Sequence, residues 1–412
     1  MIRLNVLLRF SPQVTIRVGQ LAEDKHQLYF QYDLDFLSKN LWLSPYKLPL
    51  GPDLFKHKDR EFSPVFGLFN DSLPDGWGLL LMDRFLRKRG YEVETLSVLE
   101  RLAFLGENTM GALIYKPVLD LERSDSSPFN LHNLSIQSYA ILSGDTNVVL
   151  PQLINAGGSP GGARPKVLAG IFNDKMVSGE TDLTEPFEHW IIKFSAENDF
   201  PDAGPVEYAY ALMAEKAGIT MAATHLFDTP EGDRFFGIKR FDREANQRFH
   251  VHTFGNLIHS NFRFPSQDYD HFFKVVINLT KNYQDLIRAF RQMVFNVFAN
   301  NRDDHVKNFA FIMDHKGAWS LSPAYDLIYS PGPGGEHSMT VLGEGQAPAK
   351  TGIYKIGEKN GIKKRTIGLI VDEVAEAVND FQTYAQTAGI SETTLKKINA
   401  KIKNNLAAFN RA

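Results

Sequence analysis

The hydrophobic periodicity of this chain changes along its length, and that change limits the fold more than any single motif does. Residues 3–33 alternate apolar and polar in three bursts, RLNVLLRF, QVTIRVGQL and HQLYFQYD, the period-two signature of a small antiparallel sheet. From about 70 the pattern turns helical: DSLPDGWGLLLMDRFLRKRG opens with Asp71, Ser72 and Asp75 and runs to a stop at Gly90. TLSVLERLAFLG reads as a second short helix. HWIIKFS (189–195) is a buried strand, PVEYAYALMAEKAGI (205–219) an amphipathic helix, and RFFGIKRFDRE (234–244) a further strand with its exit. Beyond it helices are predicted around 267–280, 284–300, 366–388 and 391–408. A sheet-rich part followed by a helical part predicts an α+β protein of two lobes. The Ser-rich LERSDSSPFN (121–130) reads as a linker. At 412 residues the chain exceeds one small core.

Composition removes several functional classes. With 45 basic against 48 acidic residues the net charge is −3, a poor match for a chain that binds nucleic acid by itself. There are no cysteines, so disulfides and thiolate metal clusters are impossible, which suits a reducing compartment. The start, MIRLNVLLRFSPQVTIRVGQ, carries Arg3 and Arg9 inside its apolar run and lacks a small-residue cleavage site, so it is a poor signal peptide. No apolar stretch reaches the ~18 residues of a membrane helix. The expectation is a soluble cytoplasmic protein with no membrane partner.

The stretch NRDDHVKNFAF (301–311) crowds Asp303, Asp304, His305, Lys307 and Asn308 between the apolar runs MVFNVFA and FAFIM. The helix before it places Leu286, Phe290, Val294 and Phe298 on one stripe, which delivers the polar stretch to a fixed place. Asp303 and Asn308 stand five positions apart, the spacing of the kinase catalytic loop, in which the Asp orients the acceptor hydroxyl and the Asn holds magnesium. A second carboxylate for the metal arrives in WSLSPAYDLIYS as Asp326, after FAFIMDHKGAWSL, which reads as a hairpin. Taken alone, the same spacing is also that of a helix cap ahead of a solvated hairpin. His305 with Asp303 offers zinc ligation as a competitor. Magnesium suits the all-oxygen set of Asn308 and Asp326 better.

Phosphoryl transfer also needs phosphate donors. AGGSPGGARPK (156–166) supplies Ser159, Gly161, Gly162, Ala163, Arg164 and Lys166. Glycines let backbone N–H groups crowd an anion, and the basic residues add charge. The segment matches neither standard phosphate-loop pattern cleanly, and Gly-rich loops are often only turns. Lys193, inside the apolar WIIKFS, is costly unless paired; nucleotide phosphates and Glu207 on the next helix are candidate partners. The bland readings are a lysine on a solvated strand face and a glutamate that merely suits a helix N-terminus.

In order along the chain, SPGGARPK, IIKF, IKRFDR, NRDDHVKNFAF and LSPAYDL resemble the HipA-type serine/threonine kinases, the toxins of HipA–HipB pairs. VGQLAED, FNDSLPDGWG (69–78) and FLGENTMGAL (104–113) are similar to that family's N-terminal region. The resemblance implies a protein-kinase-like two-lobed fold: an N-terminal subdomain over 1–115, a small lobe with the Gly-rich loop over 116–243, and an all-helical C-terminal lobe over 244–412. It implies ATP and Mg2+ as cofactors, Asp303 as catalytic base, Asn308 and Asp326 as metal ligands, and Lys193 as the nucleotide-phosphate lysine. Lys239, Arg240 and Phe241 would run along the hinge beside adenine, their backbone groups reading the base. Gly161, Gly162, Ala163, Arg164, Lys166, His305 and Lys307 would line the nucleotide site. Ser159 would be an autophosphorylation site whose dianion competes for the ATP phosphate donors.

The implied partners are a protein substrate, of which an aminoacyl-tRNA synthetase is the family's best-known case, and a HipB-like helix-turn-helix antitoxin. DNA would be reached only through that antitoxin, and a homodimer within the complex is compatible. Two departures stand out: Asp304 adds a carboxylate beside the base, and the hinge lacks an acidic residue. A small-molecule kinase of the antibiotic-phosphotransferase kind and a catalytically quiet co-repressor remain as alternatives.

Overall fold

A computed structural model describes residues 2–59, 61–119, 129–145, 153, 161–173, 175–179, 182–196 and 202–411. Ser159 and most of the expected linker at 121–130 lie outside the described residues.

The alternating opening forms β1 (Ile2–Arg9), β2 (Thr15–Asp24) and β3 (Gln27–Tyr32), joined by β4 (Phe55–Lys56) and β5 (Leu113–Lys116) in an antiparallel sheet of order β4-β3-β2-β1-β5. Leu4, Val6 and Leu8 face the core while Arg3 faces out, as period-two alternation on a half-buried sheet requires. Two helices cover its inner face, Gly76–Lys88 and Val98–Leu105. The second is fixed at its start by a capping box between Ser97 and Glu100.

A second antiparallel sheet comprises β6 (Lys166–Phe172), β7 (Lys175–Ser178), β8 (Glu188–Lys193), β9 (Thr224–Asp228) and β10 (Arg234–Lys239), in the order β7-β6-β8-β10-β9. The helix Ala203–Lys216 turns Ala211 toward this sheet. It turns Val206, Tyr210 and Met213 toward the helical lobe.

That lobe is built on Tyr269–Thr280, Tyr283–Phe298, Lys350–Lys359, Lys364–Asn379, Phe381–Ala388 and Glu392–Arg411. The stripe Leu286, Phe290, Val294 and Phe298 is buried, but so are Ala289, Met293, Phe295 and Val297 on the flanks. The helix therefore runs through the core and not over it. The single helix expected over 366–388 is two helices meeting at Asp380, which takes the non-helical φ −88°, ψ 19°. Its carboxylate accepts from the Thr383 hydroxyl at 2.7 Å, a local bond that competes with helix continuation. The lobe is not all-helical as expected: it also carries a three-stranded sheet, in which His250–Thr253 pairs with Ala310–Met313 and that strand with Trp319–Leu321. No helix among the described residues is long and apolar enough to cross a membrane.

Candidate active site

The strand register sets the first part of the site. Lys193, at the end of β8, is the direct partner of Lys166 on β6 and of Phe236 on β10. Two lysines paired across adjacent strands emerge on one face of the sheet. Each is held differently. The Lys193 ammonium meets Glu207 Oε1 at 2.5 Å and also bonds Asp326 Oδ1. Burial would lower its pKa, but the charges of Asp326 and Glu207 outweigh burial and raise it above the usual lysine value. Lys166 donates to the Gly161 carbonyl at 2.8 Å, and burial brings it down to about 8, with Asp326 opposing and Lys193 adding to the fall. Arg164 reaches Glu207 Oε2 at 3.4 Å. Three cations thus converge where the Gly-rich segment enters β6.

The second part is the polar island. Asn300, at φ +54°, ends the preceding helix in the left-handed conformation that Asn tolerates. Its side-chain amide donates to Ser330 O at 2.9 Å, and Ser330 N–H donates back to Asn300 O at 3.0 Å. From this anchor the adjacent acids diverge. Asp304 is buried and accepts from Tyr269 Oη at 2.7 Å, from His337 Nδ1 at 2.9 Å and from Ser338 N–H at 2.8 Å. It is a bracket for the loop, with its oxygens committed to protein donors. Asp303 is exposed at the cleft. The protein wall around it draws its pKa up, and the charges of Asp326 and Asp304 add to this.

Asn308 Nδ2 donates to Asp303 O at 2.7 Å, which turns the amide oxygen away from that contact. Asp326 sits at φ +52°; Tyr325 beside it donates to Lys307 O at 2.7 Å, tying the two acid-bearing segments together. The Asp326 carboxyl is pulled down to about 2: burial would raise it, and Lys193 followed by Lys166 overcomes that. Asn308 Oδ1 and the Asp326 carboxylate are both oxygen donors, the ligand type that a hard divalent cation takes.

Several expected residues also make contacts within the protein. Lys239 and Arg240 are not free backbone donors for a base: their N–H groups go to Ala223 O and His189 O, each at 2.8 Å. The Lys239 ammonium pairs with Glu188 at 2.7 Å. Arg240 is buried and, with Arg243, encloses Asp242. Phe241 stacks on Tyr325 with ring centroids 5.5 Å apart. His305 accepts the Lys307 N–H at 3.3 Å and packs on Phe262. The His/acid cluster that could hold a metal among the described residues is elsewhere, at His132, Glu231 and Asp233. Ala163 lies exposed on the Gly-rich segment.

One participant escapes sequence reasoning. Asp75, which reads as a helix start, reaches the site from the N-terminal module, accepting from Gly162 N–H at 2.6 Å and from Lys307 Nζ at 2.5 Å. The hint in the sequence is the Asp-Gly-Trp triplet that opens the helix, within FNDSLPDGWG; both partners are remote along the chain. Behind Asp75 opens a cavity of about 300 Å3 between the N-terminal module and the helical lobe, lined by Phe62, Leu73, Asn256, Phe262 and Lys307 among others.

A five-stranded antiparallel sheet with one helix, a strand lysine paired to a helix glutamate, and a helical lobe carrying a polar loop define a protein-kinase-like fold. Residues 14–116 match the HipA N-terminal domain and residues 158–382 the HipA-like C-terminal domain. The chain belongs to the HipA family. Over 99% of its length it superposes on a chain in the Shewanella oneidensis MR-1 toxin–antitoxin complex of HipA, HipB and operator DNA, covering 97% of that chain with a TM-score of 0.72 at 15% identity. The shared property there is the fold. A protein of Sinorhizobium fredii described as "Putative kinase Y4dM" is 28% identical over 38% of this chain and 41% of its own length. A "Putative kinase" of Haemophilus influenzae is 26% identical over 44% of this chain and 66% of its own. The matches thus span less than two thirds of either relative.

Proposed function

We propose that this chain is an ATP- and Mg2+-dependent protein serine/threonine kinase, the toxin of a toxin–antitoxin pair. The observation that carries the reading is the Lys193 ammonium held between Glu207 and Asp326, one carboxylate from each lobe. Lys193, Lys166 and Arg164 bind and orient the nucleotide phosphates, with Gly161 and Gly162 allowing close backbone approach. Asn308 and Asp326 hold the metal, which when bound neutralises charge on the phosphates. Asp303 orients the acceptor hydroxyl and takes up its proton, and its raised pKa suits that task.

The division into 1–115, 116–243 and 244–412 then separates a coupling module, a nucleotide lobe and a catalytic lobe. Family membership supports a HipB-like antitoxin as partner, with DNA reached through it, and a translation component such as an aminoacyl-tRNA synthetase as substrate. Ser159 is the proposed autophosphorylation site. Labelled ATP and Mg2+ test the reading: wild type transfers phosphate to itself or to a candidate synthetase, and Asp326→Ala does not. Intact transfer by Asp326→Ala would end the assignment. Mass spectrometry of the wild-type chain locates the phosphate, expected on Ser159.

A further inference from the structure

We propose that Asp75 is a positioning residue for the phosphate-binding segment, through which the N-terminal module controls affinity for the nucleotide's phosphates but not for its nucleoside. The proposal rests on the kinase reading above.

Asp75 occupies the N-cap position of helix Gly76–Lys88, where an aspartate ordinarily accepts from its own helix. Here the side chain makes no such bond. One oxygen takes Gly162 N–H and the other takes the Lys307 ammonium. In return the helix gives one of its unpaired N–H groups, that of Trp77, to Gly162 O at 3.1 Å. The exchange has the reciprocity of a capping box, but its two halves come from segments separated by 87 positions. The buried Trp77 indole adds a bond to Lys166 O at 3.1 Å, at the start of β6.

The packing leaves no slack. A Cβ on Gly161 would lie 2.3 Å from Asp75 Oδ1, and one on Gly76 would lie 2.6 Å from Gly162 O. Gly162 itself holds φ +125°, a conformation that L side chains avoid. Burial works against the Asp75 charge, and the Lys307 charge with the two bonds prevails, keeping the carboxyl below its usual range. The carboxylate therefore stays charged at neutral pH. It fixes the segment running into Lys166 on one side and the polar loop's Lys307 on the other.

The contact joins Gly162 of the phosphate-binding segment to Lys307 of the polar loop and touches none of the residues expected beside the base, which gives it a distinctive signature. Calorimetry with Mg–ATP, Mg–ADP and adenosine separates the phosphate contribution from that of the base. Asp75→Ala is expected to weaken ATP and ADP by about tenfold, the scale of losing hydrogen bonds to a charged group, and to leave adenosine unchanged. Asp75→Asn keeps an acceptor for Gly162 but loses the charge toward Lys307, so a smaller loss with the same selectivity is expected; it also serves if Asp75→Ala fails to fold. Equal losses for adenosine and ATP would reduce Asp75 to a general structural contact and overturn the proposal. Unchanged or tighter ATP binding would overturn it too. Wild type that binds no nucleotide would instead remove the kinase reading, and the proposal with it.

Discussion

The seam around Asp242 and the cleft around Asp326 are both ionic clusters joining distant parts of the chain, and they differ in how the carboxylate is satisfied. Asp242 is 0% exposed and accepts from Arg240 Nε at 2.9 Å, Arg240 Nη2 at 2.8 Å, Arg243 Nη1 at 2.6 Å and Gly111 N–H at 2.8 Å. Arg243 also donates to Gly111 O and Thr109 O, so the cluster sews the N-terminal module to the exit of β10. Asp326 bonds Lys193, yet its side chain stays 31% exposed. A closed cluster serves architecture. An open one leaves carboxylate surface for something that arrives from solution.

Mutation should separate the two kinds of cluster, and the largest effect is expected in the open one. Asp303→Asn removes the proposed acceptor of the hydroxyl proton, so on that reading phosphate transfer is expected to fall by on the order of 10²–10⁴-fold. Nucleotide affinity should change much less than turnover, because the role proposed for Asp303 is with the acceptor hydroxyl, although its charge does act on Arg164. A steady-state comparison of kcat with calorimetric Kd checks this; equal losses in both would close the distinction.

The closed cluster should behave the other way. Asp242→Ala leaves Arg240 and Arg243 buried beside each other without their common partner, a change worth roughly 3–5 kcal/mol in buried pairs. Chemical denaturation is expected to show that loss, while the folded fraction keeps its turnover per molecule. Asp304→Asn should fall between these. It keeps shape but weakens the bonds from Tyr269, His337 and Ser338, costing about 1–3 kcal/mol. A modest loss of turnover is expected as Asp303 shifts with the loop.

Legibility from sequence divides along the same line. Local order can be read directly: alternation around Leu4, Val6 and Leu8, the stripe through Phe290 and Val294, and the short spacing that keeps Asp303 and Asn308 together. Lys193 in an apolar strand announces a buried cation. Other features depend on partners far along the chain. The strand His250–Thr253 does not read as buried, because half of it is histidine held inside by hydrogen bonds, His250 to Leu43 O at 3.0 Å and His252 to Ser44 at 2.9 Å. The helix Lys350–Lys359 carries Gly352 and Gly357, which weaken any helical signal. The opposite duties of Asp303 and Asp304 also cannot be read from two adjacent identical letters.

The smallest effect concerns the paired lysines, and its sign makes it diagnostic. Burial holds Lys166 at about 8, while Lys193 is raised and stays charged throughout the accessible range. As pH rises from about 7 to about 9 the free protein loses the Lys166 proton, so affinity for ATP should fall, by at most about tenfold per pH unit above that pKa. Lys166→Met should bind ATP more weakly at about pH 7 and show a flatter profile. Unfolding cannot imitate this behaviour through the same group. The unfolded chain has an ordinary lysine pKa of about 10.4, so between about 8 and 10.4 it binds more protons than the folded chain, and this group's contribution to stability rises with pH. Affinity falling while that contribution climbs would place the titration at the phosphate-side lysine; affinity that stays level through about pH 9 would show that Lys166 carries no part of phosphate binding.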